Sequence, residues 1–140
     1  MVQRVDIDYD FTLPVERVYA YLAAHENLGP LFGATVSRVR DGDLERDGTG
    51  SVRSLKVGPL PAFEETVTRA VPNEIIEYRI TRGGVLRGHN ATMQFSARPG
   101  GSHLRYVIEF GTKVPGTGRL VRSGLERNIR KGLATVDAQA

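Results

Sequence analysis

No cysteine occurs among the 140 residues, which excludes a disulfide framework, a thiolate nucleophile and a cysteine-ligated zinc or iron–sulfur site. Long apolar runs are also missing. The longest, Val18 to Ala24, has seven residues, whereas a bilayer span needs about 20. The opening MVQRVDIDYD turns acidic from its sixth residue and has no signal-type apolar stretch. The expectation is a soluble, cytoplasmic protein with no stable membrane insertion. Histidine is scarce: His25, His89 and His103 stand far apart, and none makes an HExxH-like pair. No metal is expected. A GxSxG elbow is absent, as is any Ser–His–Asp set. The glycine pairs of GTGSVR (48–53) and Gly116-Thr117-Gly118 lack the third small residue of a dinucleotide cradle, so no cofactor is expected.

What is present has the composition of an ordinary globular chain: 40% hydrophobic, 25% charged. The length fits one domain over residues 1–140. The net charge of +3 is unevenly placed, acidic in the first 50 residues and basic thereafter. A basic balance raises nucleic-acid binding. Against it, the charges of the last segment (Arg119, Arg127, Arg130, Lys131) fit the solvated face of a helix. No aromatic residues interleave with them for base stacking. No nucleic-acid partner is expected.

Apolar and polar residues alternate from Val2 to Phe11, as in a half-buried strand. After Pro14, Val15, Val18, Tyr19 and Leu22 have the spacing of an amphipathic helix. A short helix or turn follows over Glu26–Phe32, interrupted by Gly29-Pro30. From Ala34 onward the pattern is strand-like, punctuated by Asp41-Gly42, Asp47-Gly48, Gly58-Pro59, Pro72-Asn73, Gly83-Gly84 and Pro99-Gly100-Gly101. Strands are predicted over 35–40, 51–57, 62–71, 75–81, 85–97 and 103–111. A helix over 116–136 ends the chain, with Val121, Leu125, Ile129, Leu133 and Val136 in one stripe. The result is an α+β domain of order β-α-α-β6-α with a seven-stranded antiparallel sheet.

TLPVERVYAYL, ENLGPLFG, GTGSVR, FEETVTRAVPNEIIEYRI and the terminal amphipathic helix stand in an order and spacing that resemble the START-like (SRPBCC) superfamily of polyketide cyclase/dehydrase type. That resemblance implies the helix-grip fold shared with pollen allergens: a curved sheet wrapped round a long C-terminal helix, with an internal cavity for apolar molecules. Gly118 and Gly132 lie within the helix's apolar stripe. Either the sheet approaches closely there or space is kept open.

Strand periodicity then nominates inward residues. On the third strand these are Arg53, Leu55 and Val57, and on the fourth Phe63, Glu65 and Val67. The fifth brings Ile76, Tyr78 and Ile80. The sixth brings Val85, Arg87, His89, Ala91, Met93 and Phe95, and the seventh Leu104, Tyr106, Ile108 and Phe110. Polar groups in an apolar chamber have the composition of a small-molecule site. The expected ligand-binding set is Arg53, Leu55, Glu65, Val67, Tyr78, Arg87, His89, Met93 and Tyr106, with Leu125 and Ile129 from the helix. Leu28, Leu31 and Phe32 are expected to gate the entrance.

Two functions compete. One is a module, monomeric or homodimeric, that binds, transports or senses an apolar small molecule (lipid, polyketide or aromatic). The other is a cyclase/dehydratase-like or hydrolase-like enzyme with His89 or Glu65 as base and Tyr106 in support. An interaction protein using the basic helix face is a third, weaker reading.

Overall fold

The computed structural model describes residues 2–140. Strand β1 (Gln3–Phe11) seals Val5, Ile7 and Phe11 inside and turns Arg4, Asp6 and Asp8 to water, as its two-residue alternation dictates. Pro14 stands just before helix α1 (Val15–Ala23), and its carbonyl accepts the Arg17 and Val18 amides at 3.1 and 3.2 Å. Val15, Val18 and Leu22 are the buried stripe of α1. A 3-10 turn (His25–Asn27) and a one-turn helix α2 (Gly29–Phe32) follow. Gly29-Pro30 therefore opens a helical turn rather than breaking one, because proline fits where no amide partner is required.

Six strands come next: β2 (Thr35–Arg40), β3 (Val52–Lys56), β4 (Phe63–Val71), β5 (Ile75–Gly83), β6 (Leu86–Arg98) and β7 (Gly101–Thr112). The seven strands form one antiparallel curved sheet in the order β1-β7-β6-β5-β4-β3-β2. Register shifts interrupt the ladders at Arg38/Arg40, Glu64/Glu65, Val67/Arg69 and Arg87/Asn90. Such bulges bend strands and sharpen their twist.

Helix α3 (Gly118–Leu133) lies across the concave side and packs against α2 and β1. The single terminal helix expected over 116–136 divides. The Thr135 hydroxyl donates to the Gly132 carbonyl at 2.7 Å, and a last turn, α4 (Val136–Gln139), follows. Close approach accounts for two of the helix glycines. A Cβ on Gly132 would stand 2.9 Å from Leu31 Cα, and one on Gly118 would stand 2.9 Å from Gln3 Nε2. Space is not being kept open at either position. Arg119, Arg127, Arg130 and Lys131 are exposed on the far side of α3, and Glu126 accepts from Arg130 at 3.4 Å.

Candidate functional site

Inward positions on β3, β4, β5 and β6 bring Arg53, Glu65, Tyr78 and His89 together beneath α3. Arg53 and Glu65 are direct cross-strand partners, and Arg53 Nε donates to Glu65 Oε1 at 2.9 Å. The pair is almost fully buried, at 2% and 3% exposure, and burial of either charge alone would be prohibitive. The guanidinium also lies 4.6 Å over the Tyr78 ring, a favourable position for a cation. The Tyr78 hydroxyl hydrogen-bonds that of Tyr106. Burial raises both phenols well above their ordinary value, so both stay protonated.

His89 owes its place to an irregularity. The β5–β6 ladder runs to Tyr78↔Ala91, and β6 bulges between Arg87 and Asn90 with Gly88 at φ +57°. In the space this opens, the Ile80 amide donates to His89 Nδ1 at 3.1 Å. An acceptor at Nδ1 puts the proton of the neutral ring on Nε2, which faces Glu65 Oε2 at 4.0 Å. Burial pushes the His89 pKa below the ordinary imidazole value, and the Glu65 carboxylate only partly opposes this. His89 is therefore neutral at pH 7. It is an N–H donor toward the cavity rather than the proton-exchanging group its residue type suggests.

A cavity of about 180 Å³ opens above these residues. Glu65, Tyr78, His89 and Ile108 form its floor, and Phe63, Ile80, Val121 and Leu125 its walls. At the rim stand Val57, Leu60 and Pro61, from the β3–β4 connection, Val85, from the β5–β6 turn, and Leu86, at the start of β6. Phe32 and Asn128 complete the lining.

Of the residues expected from sequence, Glu65, Tyr78, His89, Phe32 and Leu125 line this cavity. Arg53 and Tyr106 stand directly behind it, bonded to lining residues. Leu55, Val67, Met93 and Ile129 are buried in the core outside its wall. Arg87 is a correction: the bulge at Gly88 breaks the two-residue alternation, so Leu86 turns in and Arg87 is exposed. The entrance is another. Leu28 and Leu31 are 0% and 1% exposed and packed in the core, Leu31 against Gly132 of α3, so of the three expected gate residues only Phe32 lines the cavity. Leu60 and Pro61 were missed because they sit in a turn, where periodicity carries no facing information, and Leu86 because the bulge at Gly88 reverses the phase at the start of β6, whereas Val85 was in the expected inward set. Val57, Phe63, Ile80 and Ile108 had the right phase, and Val121 was legible in the helix stripe.

A second buried histidine was also missed. His25 is 1% exposed, and its Nε2 lies 3.1 Å from Ser51 Oγ. Burial, aided by the Arg53 charge, pushes its pKa down to about 4. Asp47 Oδ1 lies 3.9 Å from the same nitrogen and is held by Arg38. A triad needs the carboxylate on the opposite ring nitrogen from the serine, and Nδ1 has no partner among the described residues. The cluster fastens the 3-10 turn to the β2–β3 connection. Among the described residues no group of three or more His, Asp or Glu is placed to hold a metal, and no helix is long and apolar enough to cross a membrane.

The fold has close counterparts among solved structures. A START superfamily protein from Mycobacterium smegmatis superposes with a TM-score of 0.76 at 15% identity, covering 97% of this chain and 95% of that one. The Zhui aromatase/cyclase from Streptomyces sp. R1128 gives 0.71 at 15% identity, covering 99% and 90%. A truncated norcoclaurine synthase from Thalictrum flavum gives 0.72 at 11%, covering 97% and 93%. No curated protein matches by sequence. At these identities the likeness establishes the fold, a helix grip of the START and pollen-allergen kind. With the curved sheet and terminal helix in place, a family model for polyketide cyclase/dehydrase and lipid transport matches residues 2–140, and the chain belongs to that family.

Proposed function

We propose that the protein binds an apolar small molecule, of lipid, polyketide or aromatic type, in this cavity, and so carries, sequesters or senses it. One observation carries the reading: a partly open, almost wholly apolar cavity with a few polar atoms gathered at its floor, the usual form of a small-molecule site. The family description, which joins cyclase and lipid-transport activities, supports the same reading. On this view the protein works as one domain, monomeric or homodimeric, in the cytoplasm. It needs no nucleic-acid partner, metal or cofactor.

A cyclase- or dehydratase-like activity has one specific observation behind it. Glu65 uses only Oε1 against Arg53, which leaves Oε2 as a base for an activated proton. His89 is not the base in that reading, since its Nδ1 lone pair is taken by Ile80.

Native mass spectrometry of the purified protein, with titration of an apolar fluorescent dye, tests the binding reading. A co-purifying molecule, or dye bound at one equivalent, is the expected result. Val121→Trp, which fills the cavity wall, should abolish dye binding without unfolding the protein. Dye binding that is absent from the wild type, or unchanged in Val121→Trp, would overturn the reading.

A further inference from the structure

We infer that the cavity selects ligands carrying a hydroxyl group, which bridges Glu65 Oε2 and His89 Nε2 by donating to the carboxylate and accepting from the imidazole. This rests on the reading of the cavity as a ligand site and names the chemistry at its floor. The two atoms are 4.0 Å apart, too far for a hydrogen bond to each other. An oxygen placed about 2.8 Å from each sits at an angle of about 90° between them, within the tolerance of one hydroxyl acting as donor and acceptor. The gap fits a single oxygen atom.

Glu65 Oε2 and His89 Nε2 make no hydrogen bond among the described residues, whereas their neighbours are largely committed. Arg53 Nε is committed to Glu65 Oε1, and its Nη2 is sealed from the cavity without a partner. The Tyr78 hydroxyl is committed to Tyr106, and His89 Nδ1 to the Ile80 amide. The ring of Tyr78 packs beside the imidazole with centroids 5.7 Å apart, fixing its orientation. The floor thus offers one acceptor, which is anionic, and one neutral N–H donor.

Each competing head group fails on one of the two. A ligand carboxylate meets Glu65 with like charge, and the only nearby cation is behind that same residue. A carbonyl or ether oxygen can accept from His89, but its lone pairs face Oε2. A protonated amine satisfies Glu65 and leaves the imidazole N–H without an acceptor. Buried polar groups left unpaired are what make such sites discriminate. Of these head groups a hydroxyl, phenolic or aliphatic, is the one that satisfies both.

Isothermal titration calorimetry of the wild-type protein at pH 7.5, with 4-butylphenol, 4-butylanisole, 4-butylbenzoate and butylbenzene, separates these cases without any variant. The phenol is expected to bind roughly tenfold more tightly than the anisole or the hydrocarbon, the fold-change of about one hydrogen bond. The benzoate should be the weakest of the four. In His89→Phe the preference for phenol over hydrocarbon should shrink several-fold. In Glu65→Gln the penalty on the benzoate should be relieved. Hydrocarbon binding as tight as the phenol, or benzoate binding tighter, would overturn the inference while leaving the ligand cavity standing. Failure of all four, in a protein that also binds no apolar dye, would remove the cavity reading and the inference together.

Discussion

On the outer face of β1 and β7, His103 lies 2.7 Å from Asp10 and 2.9 Å from Asp8, and Arg105 pairs with Asp6 at 3.0 Å. Inside β3–β6, His89 lies 4.0 Å from Glu65, and Arg53 pairs with that carboxylate at 2.9 Å. The residue types are the same and the consequences are opposite. Outside, the hydrogen bond to Asp10, helped by the one to Asp8, outweighs the loss of hydration and raises the His103 pKa. Inside, burial dominates and lowers it for His89, despite a carboxylate across the gap. A carboxylate neighbour thus does not by itself predict a charged histidine. The water removed around the pair decides the sign.

Breaking one ion pair on each side gives the largest expected contrast. Glu65→Ala strands the buried Arg53 guanidinium, whose Nη2 already lacks a partner. It should lower unfolding free energy by about 3–5 kcal/mol. Asp6→Asn, on the solvated face, should cost less than about 1 kcal/mol. Urea denaturation of the two variants checks this. Comparable losses would mean that the interior pair is not isolated from water.

The pH dependence of stability comes next. His25 titrates at about 4 in the fold, against an unfolded value near 6.5. Between those limits the unfolded chain binds the extra proton. Its contribution is therefore fully present above pH 6.5 and is lost as pH falls toward 4. That loss is on the order of 3 kcal/mol, and His89 acts in the same direction. His103 has the reverse sign: its contribution is present below pH 6.5 and fades as pH rises through its elevated folded value. Denaturation curves from pH 7 to 4 should show stability falling on acidification, and His25→Asn should flatten that slope. His103→Asn should change the profile only slightly, and mainly above pH 6.5. An unchanged slope in His25→Asn would show that the imidazole is hydrated.

The smallest contrast sharpens the same comparison with two glycines of α3. Gly132→Ala would drive a methyl group to 2.9 Å from the Leu31 backbone and should cost about 1–3 kcal/mol. Gly124→Ala meets nothing within 4 Å and should stabilise the helix by up to about 1 kcal/mol. Thermal unfolding midpoints moving in opposite directions is the expected outcome. A shift in the same direction for both would mean that α3 can slide away from α2.

Periodicity and the turn residues between the runs located all seven strands, because alternation over Gln3–Phe11 or Leu104–Phe110 leaves one way to bury an apolar face. It also placed Glu65, Tyr78 and His89 beneath the helix and Leu125 above them. It failed at Arg87, where one extra residue at Gly88 shifts the phase, and at Leu28 and Leu31, which look like a loose apolar turn until α3 closes over them. The 3-10 turn that buries His25 has no periodicity at all, so nothing in the local pattern marked that histidine as interior.

The order of strands and helices, the apolar faces and most of the inner surface were properties of the sequence, since each follows from residues a few positions apart. Tertiary structure decided which inner residues meet empty space and which meet one another. Arg53, Leu55 and Val67 have the same inward phase as Glu65, yet only Glu65 lines the cavity, because that depends on where α3 crosses the sheet. The tautomer of His89 was decided there too, by an Ile80 amide that a bulge left without a backbone partner. A bulge and a helix crossing are long-range packing outcomes, and no window of neighbouring residues contains them.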